Sequence, residues 1–336
     1  MRFLNDYIPE AIETLGVDKY VIDFSNLRYC TSITKITNNL YYYNNIKLDT
    51  IDYIIIDFEC VENITAGSFF SYNNIPFYIK NTHNIKTLGN YVFQNCTIKN
   101  KSLSFPSLEL LDGTYIFSSA RIYCIKDLGK ITNIPHYTFD NSYIEYLYLP
   151  ETLTELGTNS FRYMYSLRHI YGLEYIKKIT GSSIFYYDYL LDSVNFPNLE
   201  ICETTSPLIY GCYNIRRIES LGKIKKLTHQ LAYDCYYNPS YIAQQGEQDF
   251  LNEYLATYKG IEYVDIPETL EEFSSNGFIS YSNFNIDTVK IPTSVKTLCT
   301  NLFSGNSNNI TNIIKNVYIP NTIKKITSSS GYGSIF

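Results

Sequence analysis

Histidine and cysteine are the side chains best suited to chemistry near neutral pH, and their spacing here gives them no partners. His83, His136, His169 and His229 are scattered, with no His-Glu-x-x-His or His-x-His spacing to hold a metal. The eight cysteines are Cys30, Cys60, Cys96, Cys124, Cys202, Cys212, Cys235 and Cys299, and no two form a Cys-x-x-Cys pair. No G-x-S-x-G nucleophile elbow, phosphate-binding P-loop or G-x-G-x-x-G turn occurs. No catalytic, metal or cofactor residue is assigned, and the chain reads as non-enzymatic.

Tyrosine supplies a different chemistry, that of recognition. The 336 residues include 35 Tyr and 19 Phe but no Trp and only 2 Met. Tyr offers a large contact area with one polar tip. Tyr and Arg are enriched among the residues that carry interface energy. Nine residues are candidates for a binding face: Tyr78, Tyr146, Tyr148, His169, Tyr171, Asn195, Arg217, Glu219 and Tyr263. Each lies between or beside aliphatic residues in a short alternating segment, so it points away from the aliphatic side. Asp265, Thr288, Lys290 and Tyr318 hold the same outward positions further along. The competing reading is that tyrosines simply stabilise neighbouring strands as cross-strand ladders.

The element that must position these residues is a repeat. An aliphatic residue, a second apolar residue three later and a third five after that recur down the chain. The clearest copy is Leu153, Leu156, Phe161. Others are Val61, Ile64, Phe69; Ile85, Leu88, Phe93; Ile131, Ile134, Phe139; Leu270, Phe273, Phe278; and Val295, Leu298, Phe303. Weaker copies are Ile12, Leu15, Tyr20; Ile33, Ile36, Tyr41; Leu108, Leu111, Ile116; Ile176, Ile179, Ile184; Leu199, Cys202, Pro207; Ile224, Leu227, Ala232; and Ile323, Ile326, Gly331. Most copies step by about 23 residues, and one step of 46 separates Ile224 from Leu270. Before many copies stands a short alternating run ending in Pro, as in Ile144, Leu147, Leu149, Pro150. Pro cannot continue a hydrogen-bonded ladder, so it turns the chain out of the sheet. Gly takes over this corner at Leu128-Gly129, Gly172-Leu173 and Leu221-Gly222. One such unit cannot bury its aliphatic stripe alone, whereas stacked copies form a continuous core. The expectation is a single mainly β solenoid over residues 1–336, with about 13 units.

The segment IEYLYLPETLTELGTNSFRYMYSL, residues 144–167, carries a family resemblance, as does IKTLGNYVFQNC, residues 85–96. Both resemble the BspA-type leucine-rich repeat, the 23-residue class of that motif. The resemblance implies a curved, right-handed leucine-rich-repeat stack with no catalytic centre. It also implies a surface-displayed, adhesive or host-interacting role. On this register the repeat's Cys position is filled only by Cys96 and Cys235, six units apart. No two cysteines then share a position in neighbouring units. A disulfide needs Cα atoms within about 7 Å, so the thiols read as small buried residues.

Residues 238–260 fall outside the repeat. There Phe250, Leu251, Tyr254, Leu255 and Tyr258 share one face of a helix. Phe250, Leu251, Tyr254 and Tyr258 are therefore candidates for docking a partner, unless the helix lies on its own flank. The last residues, 331–336, hold a turn position with no polar cap after it. That end is expected to dock on another subunit or a larger assembly.

The formal net charge is −6, with no basic stripe. This argues against nucleic-acid binding by phosphate contacts and against a polybasic membrane anchor. No apolar run approaches a membrane span, and residues 1–16 lack a signal-peptide pattern. The expectation is an exposed location, on a cell surface or a virion, ahead of the cytoplasm. The leading function is recognition of a protein or glycan in adhesion or host interaction. The absent signal and the Ile/Asn/Tyr-rich, Trp-free composition also fit a structural or receptor-binding part of a phage virion. An intracellular scaffold is the third reading.

Overall fold

A computed structural model describes residues 53–65, 76–236, 260–305 and 312–327. It also describes the backbone of five short strands between residues 12 and 47. The chain is a mainly β repeat solenoid. It divides into two compact units. The first comprises Met1–Leu153, Tyr163–Tyr165 and Ile170–Gly172, and the second Thr154–Arg162, Ser166–His169 and Leu173–Phe336.

In the first unit the second residues of the triplets that begin at Val61, Ile85 and Leu108 build one parallel ladder, which Ile33 extends. Ile33 pairs with Ile64, Ile64 with Leu88, and Leu88 with Leu111. The strands before the corner build another. Lys19–Asp23, Tyr53–Asp57 and Phe77–Lys80 run parallel, as do Leu103–Ser104, Cys124–Asp127 and Tyr146–Tyr148. The phenylalanine turns make a third side, where the Phe93 N–H donates to Ile116 O at 2.8 Å and the Phe117 N–H to Thr138 O at 2.7 Å.

The second unit repeats the scheme. Glu155–Leu156, Lys178–Gly181 and Ile201–Thr204 form one parallel sheet. Phe161–Arg162, Phe185–Tyr186, Ile209–Tyr210, Ala232–Tyr233, Ile279–Ser282 and Phe303–Gly305 form another. Ser193–Asn195, Arg217–Ser220 and Tyr263–Val264 form the side before the corner. Asn285–Lys290 pairs there with Ile313–Tyr318.

The corner is a recurrent β-turn. The carbonyl of Pro150 accepts from the Leu153 N–H at 3.0 Å, that of Pro267 from Leu270 at 2.9 Å, and that of Pro292 from Val295 at 3.2 Å. Pro suits this place because it has no N–H to leave unbonded and a fixed φ. Phe58, Phe105 and Phe196 play the same part for Val61, Leu108 and Leu199. Gly129 takes the corner with φ +64°, and Gly222 with φ +61°.

The triplets are the core. From Val61 to Phe303 every described triplet residue is buried. The last copy departs, with Ile323 half-buried and Ile326 55% exposed. Ile326 pairs with Leu298 on one side, and among the described residues no strand pairs on its other side.

Four expectations need correction. Ile33 sits in register with Ile64 and is a second-position residue, not a first. Ile12 opens a strand that pairs antiparallel with Lys19–Asp23, so it is outside the repeat ladder. The step from Lys19 to its partner Tyr53 is 53 − 19 = 34 residues, longer than the standard period. Two weak triplets also miss their turn residue. Phe117, not Ile116, stacks between Phe93 at 5.3 Å and Phe139 at 5.5 Å. Phe185, not Ile184, stacks on Phe161 at 5.4 Å. One extra residue in the turn causes this shift, and both aliphatics remain buried beside the rings.

The fourth correction concerns the thiols. Ile209 pairs with Ala232 and Tyr210 with Tyr233, so Cys212 and Cys235 hold equivalent positions just after neighbouring strands. The period had placed Pro207 where Ile209 stands, because the turn before it is two residues longer. Both cysteines are fully buried. Burial pushes the Cys235 thiol up to about 12 and raises Cys212 as well. The candidate helix of 238–260, with Phe250, Leu251, Tyr254 and Tyr258, lies outside the described residues, as does the C-terminal stretch 331–336.

Candidate binding face

In the first unit, strand alternation turns Tyr78 outward at 39% exposure between buried Phe77 and Ile79. Tyr146 and Tyr148 flank buried Leu147. The chain returns at Tyr171, whose ring stacks on Tyr148 with centroids 4.3 Å apart and planes 18° from parallel. Burial and the neighbouring Tyr171 raise the Tyr148 hydroxyl above its usual range. Tyr123, half exposed, tilts against Tyr146 at 5.3 Å. Four tyrosines, Tyr123, Tyr146, Tyr148 and Tyr171, thus form one patch. Cys124, the first residue of the Cys124–Asp127 strand beside them, is buried.

In the second unit Arg217 pairs in register with Tyr263. The Arg217 guanidinium lies 4.7 Å from the centre of the Tyr263 ring, and its Nε donates to Glu219 Oε1 at 3.1 Å. This arrangement is a cation–π stack buttressed by an ion pair. Asn195 is exposed on the adjacent strand, whose Ser193 pairs with Arg217. His169 Nδ1 lies 3.4 Å from Asp192 Oδ1.

The turns carry tyrosines that strand alternation cannot find. Tyr91, Tyr115 and Tyr137 have φ of 60°, 57° and 61°. Their rings stack at 5.6 Å and 5.0 Å, with planes 10° and 7° apart. Side chains other than Gly, Asn and Asp seldom adopt this left-handed backbone, and stacking offsets part of its cost. The signal was present as a Tyr two residues before a turn Phe, in Tyr91-Val92-Phe93, Tyr115-Ile116-Phe117 and Tyr137-Thr138-Phe139. In the second unit Tyr186, Tyr210 and Tyr233 stack at 4.6 Å and 5.3 Å.

The model of the BspA type Leucine rich repeat region matches residues 8–122, 34–168, 113–243 and 239–334. The chain belongs to this family. No curated protein matches the chain. Among solved structures, a leucine-rich repeat protein from Bacteroides ovatus is 13% identical, with a TM-score of 0.41, over 94% of this chain and 81% of that one. One from Eubacterium ventriosum is 14% identical, with a TM-score of 0.36, over 98% and 94%. A leucine rich cell surface protein from Faecalibacterium prausnitzii is 15% identical, with a TM-score of 0.31, over 96% and 86%.

The BspA type repeat accounts for the buried positions, and the outward ones lie outside the core that the repeat must fill. Aromatic and charged groups at those outward positions can stack, accept and donate hydrogen bonds. Among the described residues no three His, Cys, Asp or Glu side chains gather as a metal site would need. Among the same residues no helix is long and apolar enough to cross a membrane.

Proposed function

We propose that this BspA type chain is a non-enzymatic recognition module on an exposed surface, binding a protein or glycan through its outward strand residues. The Tyr148–Tyr171 stack beside Tyr146 and Tyr123 carries this reading. Ordered tyrosines with exposed edges lose little entropy on contact and fill a partner's hollows. Family membership supports the interaction role.

The test is binding of the purified chain to an array of defined glycans and extracellular glycoproteins. Tyr148→Ser with Tyr171→Ser should abolish the strongest signals while the chain stays folded. Signals unchanged by the double substitution would reject this face as the binding surface.

A further inference from the structure

The second unit holds an open groove of about 800 Å³ on the side before the corner, lined by Tyr263, Asp265, Glu268, Thr288, Lys290 and Tyr318 among others. In the repeat register Tyr263, Thr288 and Asn316 are equivalent, as are Asp265, Lys290 and Tyr318; the pairs Thr288–Asn316 and Lys290–Tyr318 are in register. Arg217 covers one face of the Tyr263 ring and does not line the groove. The groove therefore opens on the other side, over the small Thr288. Two strand spacings, about 10 Å, separate Tyr263 from Tyr318 along the stack. Both rings are well exposed, at 41% and 60%.

The polar groups between these rings have open valences. Among the described residues, the side chains of Asp265, Glu268, Lys290 and Tyr318 make no hydrogen bond or ion pair. Charged groups nearby behave differently: Lys225 pairs with Glu271 at 3.4 Å and Lys315 with Asp287 at 3.2 Å. Burial and the adjacent Glu268 carboxylate hold Asp265 above the usual carboxylate range. A pair of carboxylates so placed repels an anionic ligand.

From this arrangement we infer that the groove binds a neutral oligosaccharide, with Tyr263 and Tyr318 as stacking platforms. The inference rests on the recognition reading above and names its ligand class at this place. A pyranose presents an apolar C–H face to an aromatic ring and a rim of hydroxyls that both donate and accept. Asp265 and Glu268 accept from those hydroxyls, Lys290 donates to them, and the Thr288 oxygen, whose own proton goes to Asp287 Oδ2, accepts. A groove for a peptide would instead offer an apolar anchor pocket or a free strand edge. The floor between the two rings is polar, formed by Asp265, Thr288 and Lys290, and offers no deep apolar anchor pocket.

The experiment is calorimetric titration of the full chain with cellohexaose, laminarihexaose and chitohexaose separately. At least one should bind, and Tyr263→Ala and Tyr318→Ala should each weaken it tenfold or more. Tyr318→Phe, which keeps the ring, should retain most of the affinity. Tyr318 is exposed, so its variants leave the fold intact, and matching thermal midpoints verify that. No binding by any of the three, or affinity indifferent to both alanine variants, overturns the inference. Preferential binding of calcium or of a lysine-rich peptide, lost in Asp265→Asn, overturns it too, by giving the carboxylates a cation to serve. Suppose the array signals vanish with the Tyr148 and Tyr171 substitutions but survive those at Tyr263 and Tyr318. Then the recognition reading stands and this inference alone falls.

Discussion

Tyr148 and Tyr171 lie face to face, with ring centroids 4.3 Å apart, and Leu149 N–H donates to Tyr171 O at 2.8 Å beside them. The side-chain stack thus rides on a backbone bond between neighbouring coils. Aromatic pairs are worth about 0.5–1.5 kcal/mol beyond their burial. A double-mutant cycle with Tyr148→Ser and Tyr171→Ser should return a coupling of that size in chemical denaturation. A coupling near zero would mean that the rings are held by the backbone alone and are wholly available to a partner.

Phe117 sits between Phe93 and Phe139 with no solvent exposure. Phe117→Ala should cost about 3–5 kcal/mol through the cavity it leaves. Phe161→Ala, fully buried against Phe185 in the other unit, should cost a similar amount. Denaturation midpoints that do not move would remove these rings from the core.

Much of this core is legible from spacing alone, because a buried residue must recur whenever the next coil covers it. Leu153, Leu156 and Phe161 are where the period puts them. Ile116 and Ile184 are not, since one extra residue in a turn is invisible to a count of apolar positions. The equivalence of Cys212 and Cys235 is hidden for the same reason. Outward residues are harder still. Alternation gives the direction of Tyr148, but only geometry shows that Tyr171 lies on it and that Arg217 lies on Tyr263. The stack of Tyr91, Tyr115 and Tyr137 escapes a strand-based reading because those residues occupy turns with a left-handed backbone.

Asp234 offers a pH test. Burial pushes its carboxyl from 3.8 up to about 6. A raised carboxyl pKa means that the folded state holds the proton longer than the unfolded state. The contribution is therefore fully present below about pH 4 and is lost as pH rises through about 6. Asp234→Asn should flatten the stability profile across that window and stabilise the chain at pH 7. Asn also suits the site's φ of 59°, as Asn95 and Asn141 do at equivalent turns. Denaturation midpoints of both proteins at pH 4, 5, 6 and 7 read the difference.

Glycines separate by their surroundings. At Gly129 the backbone is left-handed, and an added Cβ would strike the carbonyl of Leu108 on the neighbouring coil. Gly129→Ala should destabilise by more than about 1 kcal/mol. At Gly157 an added Cβ meets nothing within 4 Å. Gly157→Ala should be neutral or stabilising by up to about 1 kcal/mol. Thermal midpoints of the two variants should move apart; a shared shift would contradict the coil contact at Gly129.

The second unit's ladders pass over the longest interval between copies as if it were not there. Ala232 pairs directly with Ile279, Arg217 with Tyr263, and Lys226 with Glu272. Consecutive rungs here are separated by 279 − 232 = 47 residues, about twice the usual spacing, yet their parallel bonds are the same. Loop closure grows only logarithmically with length, so the two rungs scarcely sense what is strung between them. That makes the junction a ready-made graft point. A reporter domain or an affinity tag spliced between Tyr236 and Gly260 should leave the neighbouring coils in register. A residue added inside one of the short strands would instead turn the side chains after it from core to solvent.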